Sequence, residues 1–576
     1  MLGVRRDSVG PIAPVSTWLW LLFRPSMALA VAAAMLASLA SNAQTSAGAK
    51  SAGTAAPGEV RAQAALDSAK HYGMPGLYAF LKPFPKGADL HMHLSGAVYA
   101  ETFIAEAIQQ NLCVSPVPHT DATGNPPSPV GQNAVEFSHP PCANGAVPVS
   151  NALTNQALYD NLIDSFSMRA FVPTEGINGH DQFFATFARF GGLKDETGEW
   201  LDEVASRAAA QNEQYLEIMS TPTFSNAAKL GAQIGWPAGS EKEVSHQTLA
   251  AVRDKLIAGG LRSEVAVDEK ELADAKKARA NLGRCGPTQD YVNFGEQSSC
   301  FVQIHFLYQI LRGYPPQQVF AQTLLGFEIA SDDPDVVGIN FVMPEDGRIS
   351  MQDYHLQMQM LDYLHSVYPQ VHISLHAGEL APGLVPPEGL RFHIREAVEL
   401  GHAERIGHGV DILYEDHPYD LLKEMAAKHV DVEINLTSND GILGIKGADH
   451  PLAAYMAAHV PFSLSTDDEG VSRIDLTHEY ARAVEEHGLT YLDLKRSARD
   501  SLEHSFLHGE SLYARPDDYN RRRSQCSAAI TPDSKPSGQC SRFLQDNERA
   551  AAQWELERRF AQFEQNAGRL HDASAQ

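Results

Sequence analysis

Eight short apolar runs alternate with longer amphipathic stretches between residues 88 and 465, and no other pattern in the chain narrows its fold as much. The runs are residues 88–93, Gln214–Met219, Phe301–Phe306, Val336–Phe341, His372–Leu375, Arg405–Ile406, Val432–Asn435 and Phe462–Ser465. Helical patterns separate them, at residues 244–259, 352–367, 391–400, 418–428 and 450–458. Strand and helix in alternation imply a parallel sheet, because parallel neighbours need a crossover that a helix supplies. Eight such units predict an α/β fold, a (β/α)8 barrel. A length of 576 residues holds one barrel with additions at both ends.

The additions read as follows. Arg5, Arg6 and Arg24 precede an apolar stretch at residues 26–40, and Ser41-Asn42-Ala43 follows it. That order predicts a signal peptide over residues 1–43, cut near Ala43, with Met27 as an alternative start. The other reading is a membrane anchor, for which the apolar run is short. Residues 44–85 are a loose linker passing into a helical segment closed by Pro83 and Pro85. The barrel takes residues 86–515, with a loop-rich insertion at about 111–150. Residues 516–576 are a polar loop and then a charged helix at 542–570 carrying Phe543, Trp554, Phe560 and Phe563.

The six cysteines fit export to the periplasm or the outside, where disulfides persist. Pairing between sequence neighbours is the simplest scheme, with Cys113–Cys142 stapling the insertion. Lys and Arg total 45 against 71 Asp and Glu, a net charge of −26. That balance argues against a nucleic-acid partner and against an anionic membrane surface. No later window suits a membrane span, so no stable insertion is expected once the leader is removed.

Polar residues gather where the strands end. In His91-Met92-His93, two imidazoles share one face of a strand, since alternate side chains point the same way. Such a pair clamps a divalent metal, although HxH alone fits solvated or core-packed histidines as well. Other strand ends add His376 with Glu379 three residues on, His408 between two glycines, and the Asp467-Asp468 pair. All strand ends of a parallel barrel open on one mouth, so residues far apart in the chain converge there. Three histidines and an aspartate make a zinc shell that leaves a position for water.

The set "ADLHMHLSGA", "YLEIMS", "VVGINF", "SLHAGE", "RIGHGV", "EINLTSN" and "SLSTDDEG" resembles the adenosine deaminase family of metal-dependent purine deaminases. The pieces keep the family's order over about residues 86–510. The leader and the cysteine-bearing insertion also resemble the family's secreted growth-factor-like branch. The resemblance implies one Zn2+ per chain, held by His91, His93, His376 and Asp467. It makes Glu379 the proton donor to purine N1. His408 becomes the residue that positions and deprotonates the metal-bound water, and Asp468 the contact to the purine imidazole nitrogen. Hydroxide then attacks C6 and ammonia leaves, turning adenosine or 2′-deoxyadenosine into the inosine product. Ser438 and Asn439 brace the site or cap a helix. Glu217 is a structural carboxylate. His393, His402 and His450 are ordinary surface or packing residues.

Two departures concern the substrate. Ser95 stands where many members carry an aspartate that contacts ribose, and Met343 replaces a glycine beside the purine, while Gly96 remains. Ser95, Gly96, Met343 and Asp468 are therefore the expected substrate contacts. The partner is a small purine nucleoside, and the chain is a monomer or a homodimer. Adenine, a modified purine or AMP is the alternative substrate. From another class comes a silent barrel kept for binding or signalling, against which the intact metal set counts.

Overall fold

A computed structural model describes residues 56–116, 135–143, 145–173, 177–194, 196–285 and 298–574. The leader, and with it the expected cleavage site, lies outside the described residues. Eleven strands are found among them: β1 Gly87–His93, β2 Cys113–Pro116, β3 Val135–Ser138, β4 Val147–Pro148, β5 Glu213–Ser220, β6 Gln303–Leu311, β7 Val336–Val342, β8 His372–Ala377, β9 Arg405–His408, β10 Asp431–Ile434 and β11 Phe462–Leu464. Eight of these form one sheet in the order β1-β5-β6-β7-β8-β9-β10-β11, every pairing parallel. The Asp467 N–H donates to the His91 carbonyl at 2.8 Å, bringing the end of the last strand back to the first. The (β/α)8 barrel expected from the alternating runs is present.

Both faces of these strands are covered, which is why they read as unbroken apolar runs rather than alternating ones. All seven residues of β7 are buried, as are all four of β9 and β10. Helices enclose the barrel, among them His246–Ala258, Pro316–Asp332, Tyr354–Val367 and Pro418–Lys428. At the N-terminal end of the strands, Lys86 is fully buried and its Nζ donates to the carbonyls of Leu81, Phe84 and Gln211. Phe84 packs there against Tyr480, Tyr491, Phe560 and Phe563, tying the helix Glu548–Ser574 to the barrel base.

The structure departs from expectation in three places. The insertion is not all loop: β2, β3 and β4 make a small antiparallel sheet with β2 in the middle. The strand expected from Phe301 starts at Gln303, after a single 3-10 turn, and runs on to Leu311. The single helix expected at 542–570 is two, Gly538–Gln545 and Glu548–Ser574. Asn547 makes the break: its Nδ2 donates back to the Phe543 carbonyl and its Oδ1 accepts the Glu510 N–H. Disulfides join Cys113–Cys142, Cys285–Cys300 and Cys526–Cys540, all between sequence neighbours.

Candidate active site

The barrel mouth gathers the residues that the motifs singled out. His91 and His93 end β1, His376 sits in β8, His408 ends β9, and Asp467 and Asp468 follow β11. One ligand atom each from His91, His376, His408 and Asp467 lie within 4.8 Å of one another, as do atoms of His93, Asp467 and Asp468. His93 Nε2 is 3.3 Å and His91 Nε2 3.5 Å from Asp467 Oδ1. Among the described residues at this mouth, the non-glycine residues Met343, His408 and Asp467 hold left-handed backbone, at φ 85°, 71° and 58°. That conformation is strained for side chains with a Cβ, and such strain gathers at functional sites.

Hydrogen bonds fix which nitrogen of each imidazole faces inward. His91 Nδ1 donates to Glu433 Oε2 at 2.6 Å, and Arg405 Nε donates to the other oxygen of that carboxylate at 2.6 Å. Asn340 Oδ1 accepts the backbone N–H of His376, so it is an acceptor, and His376 Nδ1 donates to it at 2.8 Å. His93 Nδ1 donates to Gln309 Oε1. With Nδ1 carrying the proton, each Nε2 keeps its lone pair for the interior. His93 Nε2 and His376 Nε2 face each other at 3.1 Å, and buried His91 Nε2 has no hydrogen-bond partner. Facing lone pairs beside a carboxylate fit a divalent cation. Burial would raise Asp467, but His91 and His408 hold it well below the usual carboxylate range, as a ligand requires.

Glu379, His408 and Asp468 line the same space. Glu379 is buried; burial first, then the charges of Asp467 and Glu345, push its carboxyl well above the usual range. Glu379 Oε1 lies 3.7 Å from His408 Nε2. Asp468 is held high by burial with Asp467 beside it, and its Oδ1 has no partner. Gly96 makes room for it: a Cβ there would lie 1.4 Å from Asp468 Oδ1. Ser438 Oγ donates to Asp467 Oδ2 at 2.6 Å, the bracing expected of it. Glu217 is structural, accepting from Tyr215 and pairing with Arg405 below the site.

A cavity of about 410 Å³ opens above these groups. Ser95, Met343, Glu379 and Asp468 line it, and Phe183, Phe184 and Phe187 of the helix Gly179–Phe190 form an aromatic wall. Among the described residues, no Lys or Arg lines it. The sequence reading missed this wall, along with Glu433, Gln309, Asn340 and Glu345. It also took His393 and His450 for ordinary residues. Both are buried and hydrogen-bonded beside the site, His393 to Glu345 and His450 to Asn439. His402 does lie aside, bonded to Asp362.

The adenosine deaminase family model matches residues 287–513, which contain His376, Glu379, His408, Asp467 and Asp468. The matched segment is less than half of the chain. His91, His93, Ser95 and Gly96 precede the matched segment. Adenosine deaminase from Clostridium perfringens is 35% identical over 139 residues, 24% of this chain and 39% of its own length. The Escherichia coli adenosine deaminase is 37% identical over 144 residues, 25% and 40% of the two chains. The chain thus matches about two fifths of the length of these curated relatives. A solved N6-methyl-AMP deaminase from Arabidopsis thaliana covers 75% of this chain and 94% of its own, at 20% identity and a TM-score of 0.46.

Proposed function

We propose that the chain is a hydrolytic deaminase of 6-aminopurine nucleosides, with adenosine and 2′-deoxyadenosine as the first candidates. The observation that carries this reading is the inward turn of three imidazole lone pairs beside Asp467, with a buried, proton-holding Glu379 in the same cavity. His91, His93, His376 and Asp467 would hold one Zn2+. Such an ion lowers the pKa of a bound water from 15.7 toward about 7.

The chain's own residues supply the rest. Glu379, its carboxyl pushed up by burial and by the charges of Asp467 and Glu345, gives its proton to ring nitrogen N1, which weakens the aromatic resistance to attack at C6. Asp468, seated against Gly96, faces the purine edge. Phe183, Phe184 and Phe187 cover the base and thin out water around the carboxyl groups, which strengthens their interactions. A cavity with Glu379, Asp467 and Asp468 in its wall and no cationic side chain favours an uncharged nucleoside over AMP. The charged and apolar leader, together with three disulfides, supports export.

The test is ammonia release from adenosine, 2′-deoxyadenosine, adenine and AMP by the purified chain, with metal analysis of the same sample. Turnover of the nucleosides is expected, with AMP the poorest substrate. A metal-loaded sample silent toward all four would leave the barrel as a binding protein.

A further inference from the structure

The fourth histidine of the site is wired differently from the three proposed ligands. The backbone N–H of Leu452 donates to His450 Nδ1 at 3.2 Å. A backbone amide can only donate, so His450 Nδ1 bears no proton and its hydrogen sits on Nε2. His450 Nε2 meets Asn439 Oδ1 at 3.0 Å and must donate to it. That assigns the Asn439 amide: its other end, Nδ2, donates to His408 Nδ1 at 2.9 Å. The amide of Asn435 approaches the same Nδ1 at 3.5 Å, also as a donor. His408 Nδ1 therefore accepts, and its hydrogen is on Nε2, which is buried and has no partner among the described residues. Burial, with His487 and Arg482 nearby, pulls His450 down to about 3, so the neutral ring this chain needs is its ordinary state.

We infer that the relay from Leu452 through His450 and Asn439 locks His408 as an Nε2–H donor, making Asn439 and His450 positioning residues for the reaction. An imidazole with its Nε2 lone pair blocked by hydrogen is neither a metal ligand nor a resting base. It donates a hydrogen bond to the attacking oxygen and orients it toward C6, while the electron pair displaced as the C–O bond forms goes to N1, which takes the proton of Glu379. This catalytic consequence rests on the deaminase reading. The tautomer does not.

Long-range 15N–1H correlation spectra of the full chain read the tautomer directly, with the His408 signals identified by their loss in His408→Gln. The expected ring has an unprotonated-type Nδ1 and a protonated-type Nε2; the reverse pattern overturns the inference. Asn439→Asp puts an acceptor against Nδ1 and should swap the two nitrogens. It should also lower kcat on the order of 10⁴-fold, the scale of a wrong-tautomer histidine, with KM little changed. A swapped ring with undiminished kcat overturns the catalytic role. Should the wild type deaminate none of the four purines, the deaminase reading and the catalytic role fall, and the spectrum still decides the tautomer.

Discussion

Glu345 Oε2 accepts the backbone N–H of Glu379 at 2.8 Å, while its Oε1 accepts that of Gly378 at 3.1 Å. The carboxylate is buried and pinned from behind by His393 Nδ1 at 2.5 Å. It holds the loop that carries Glu379 and sets a negative charge beside it. Only protonated Glu379 can donate, so kcat/KM should fall as pH rises through its raised pKa. Glu345→Gln removes one of the charges that keep the proton on Glu379. The alkaline limb of the pH–rate profile should then move to lower pH, and an unmoved limb would contradict this account of Glu379.

Glu433 joins two roles. Burial would raise its carboxyl, but Arg405 and then His91 draw it down to about 2. Glu433→Ala leaves Arg405 with Glu217 and the His504 carbonyl as partners and frees His91 Nδ1. Breaking a buried pair destabilises by about 3 kcal/mol at the lower end of such cases, where we place this site because Glu217 remains. Metal affinity should fall roughly 10- to 100-fold through the loosened histidine. Urea unfolding and metal titration of the variant check both.

The barrel and the cluster at its mouth were legible because each leaves a local mark. Apolar runs at strand length give the units, and His91, His93, His376 and Asp467 lie at run ends inside short recognisable words. The residues that orient them leave none. Gln309 and Asn340 are single polar residues in mid-strand, and Glu433 reads as an interruption of an apolar run. Their meaning depends on which strands become neighbours, which appears only once the sheet is closed. The same holds for His450, whose partner Asn439 lies on the preceding helix Leu436–Leu443. The helix break at Asn547 needed Glu510, far off in sequence, to complete it.

His504 and Asp517 pair at 2.8 Å where the C-terminal segment crosses the barrel base. Burial opposes the charge on His504, but Asp517 and Asp431 raise it to about 9, against an unfolded value of about 6.5. A raised histidine contributes stability that is complete below about 6.5 and is lost as pH climbs through about 9. Replacing His504 with Gln should flatten the stability curve between those limits. Chemical denaturation at stepped pH measures it, and parallel curves for the two proteins would contradict the pairing.

Reduction should destabilise the folded chain. The disulfides span separations of 29, 15 and 14 residues, and closing a loop of 15 is worth about 3 kcal/mol in the chain-entropy picture. A clear drop in Tm with reductant is expected. An unchanged Tm, or six titratable thiols in the untreated protein, would contradict the pairing.

The most direct test of the central claim is the metal content of the purified chain beside that of His376→Ala, with ammonia release from adenosine followed before and after exhaustive chelation. One divalent ion per wild-type chain is expected, lost in the variant, with turnover abolished by chelation. Full turnover after chelation, or an ion still held without His376, would contradict it.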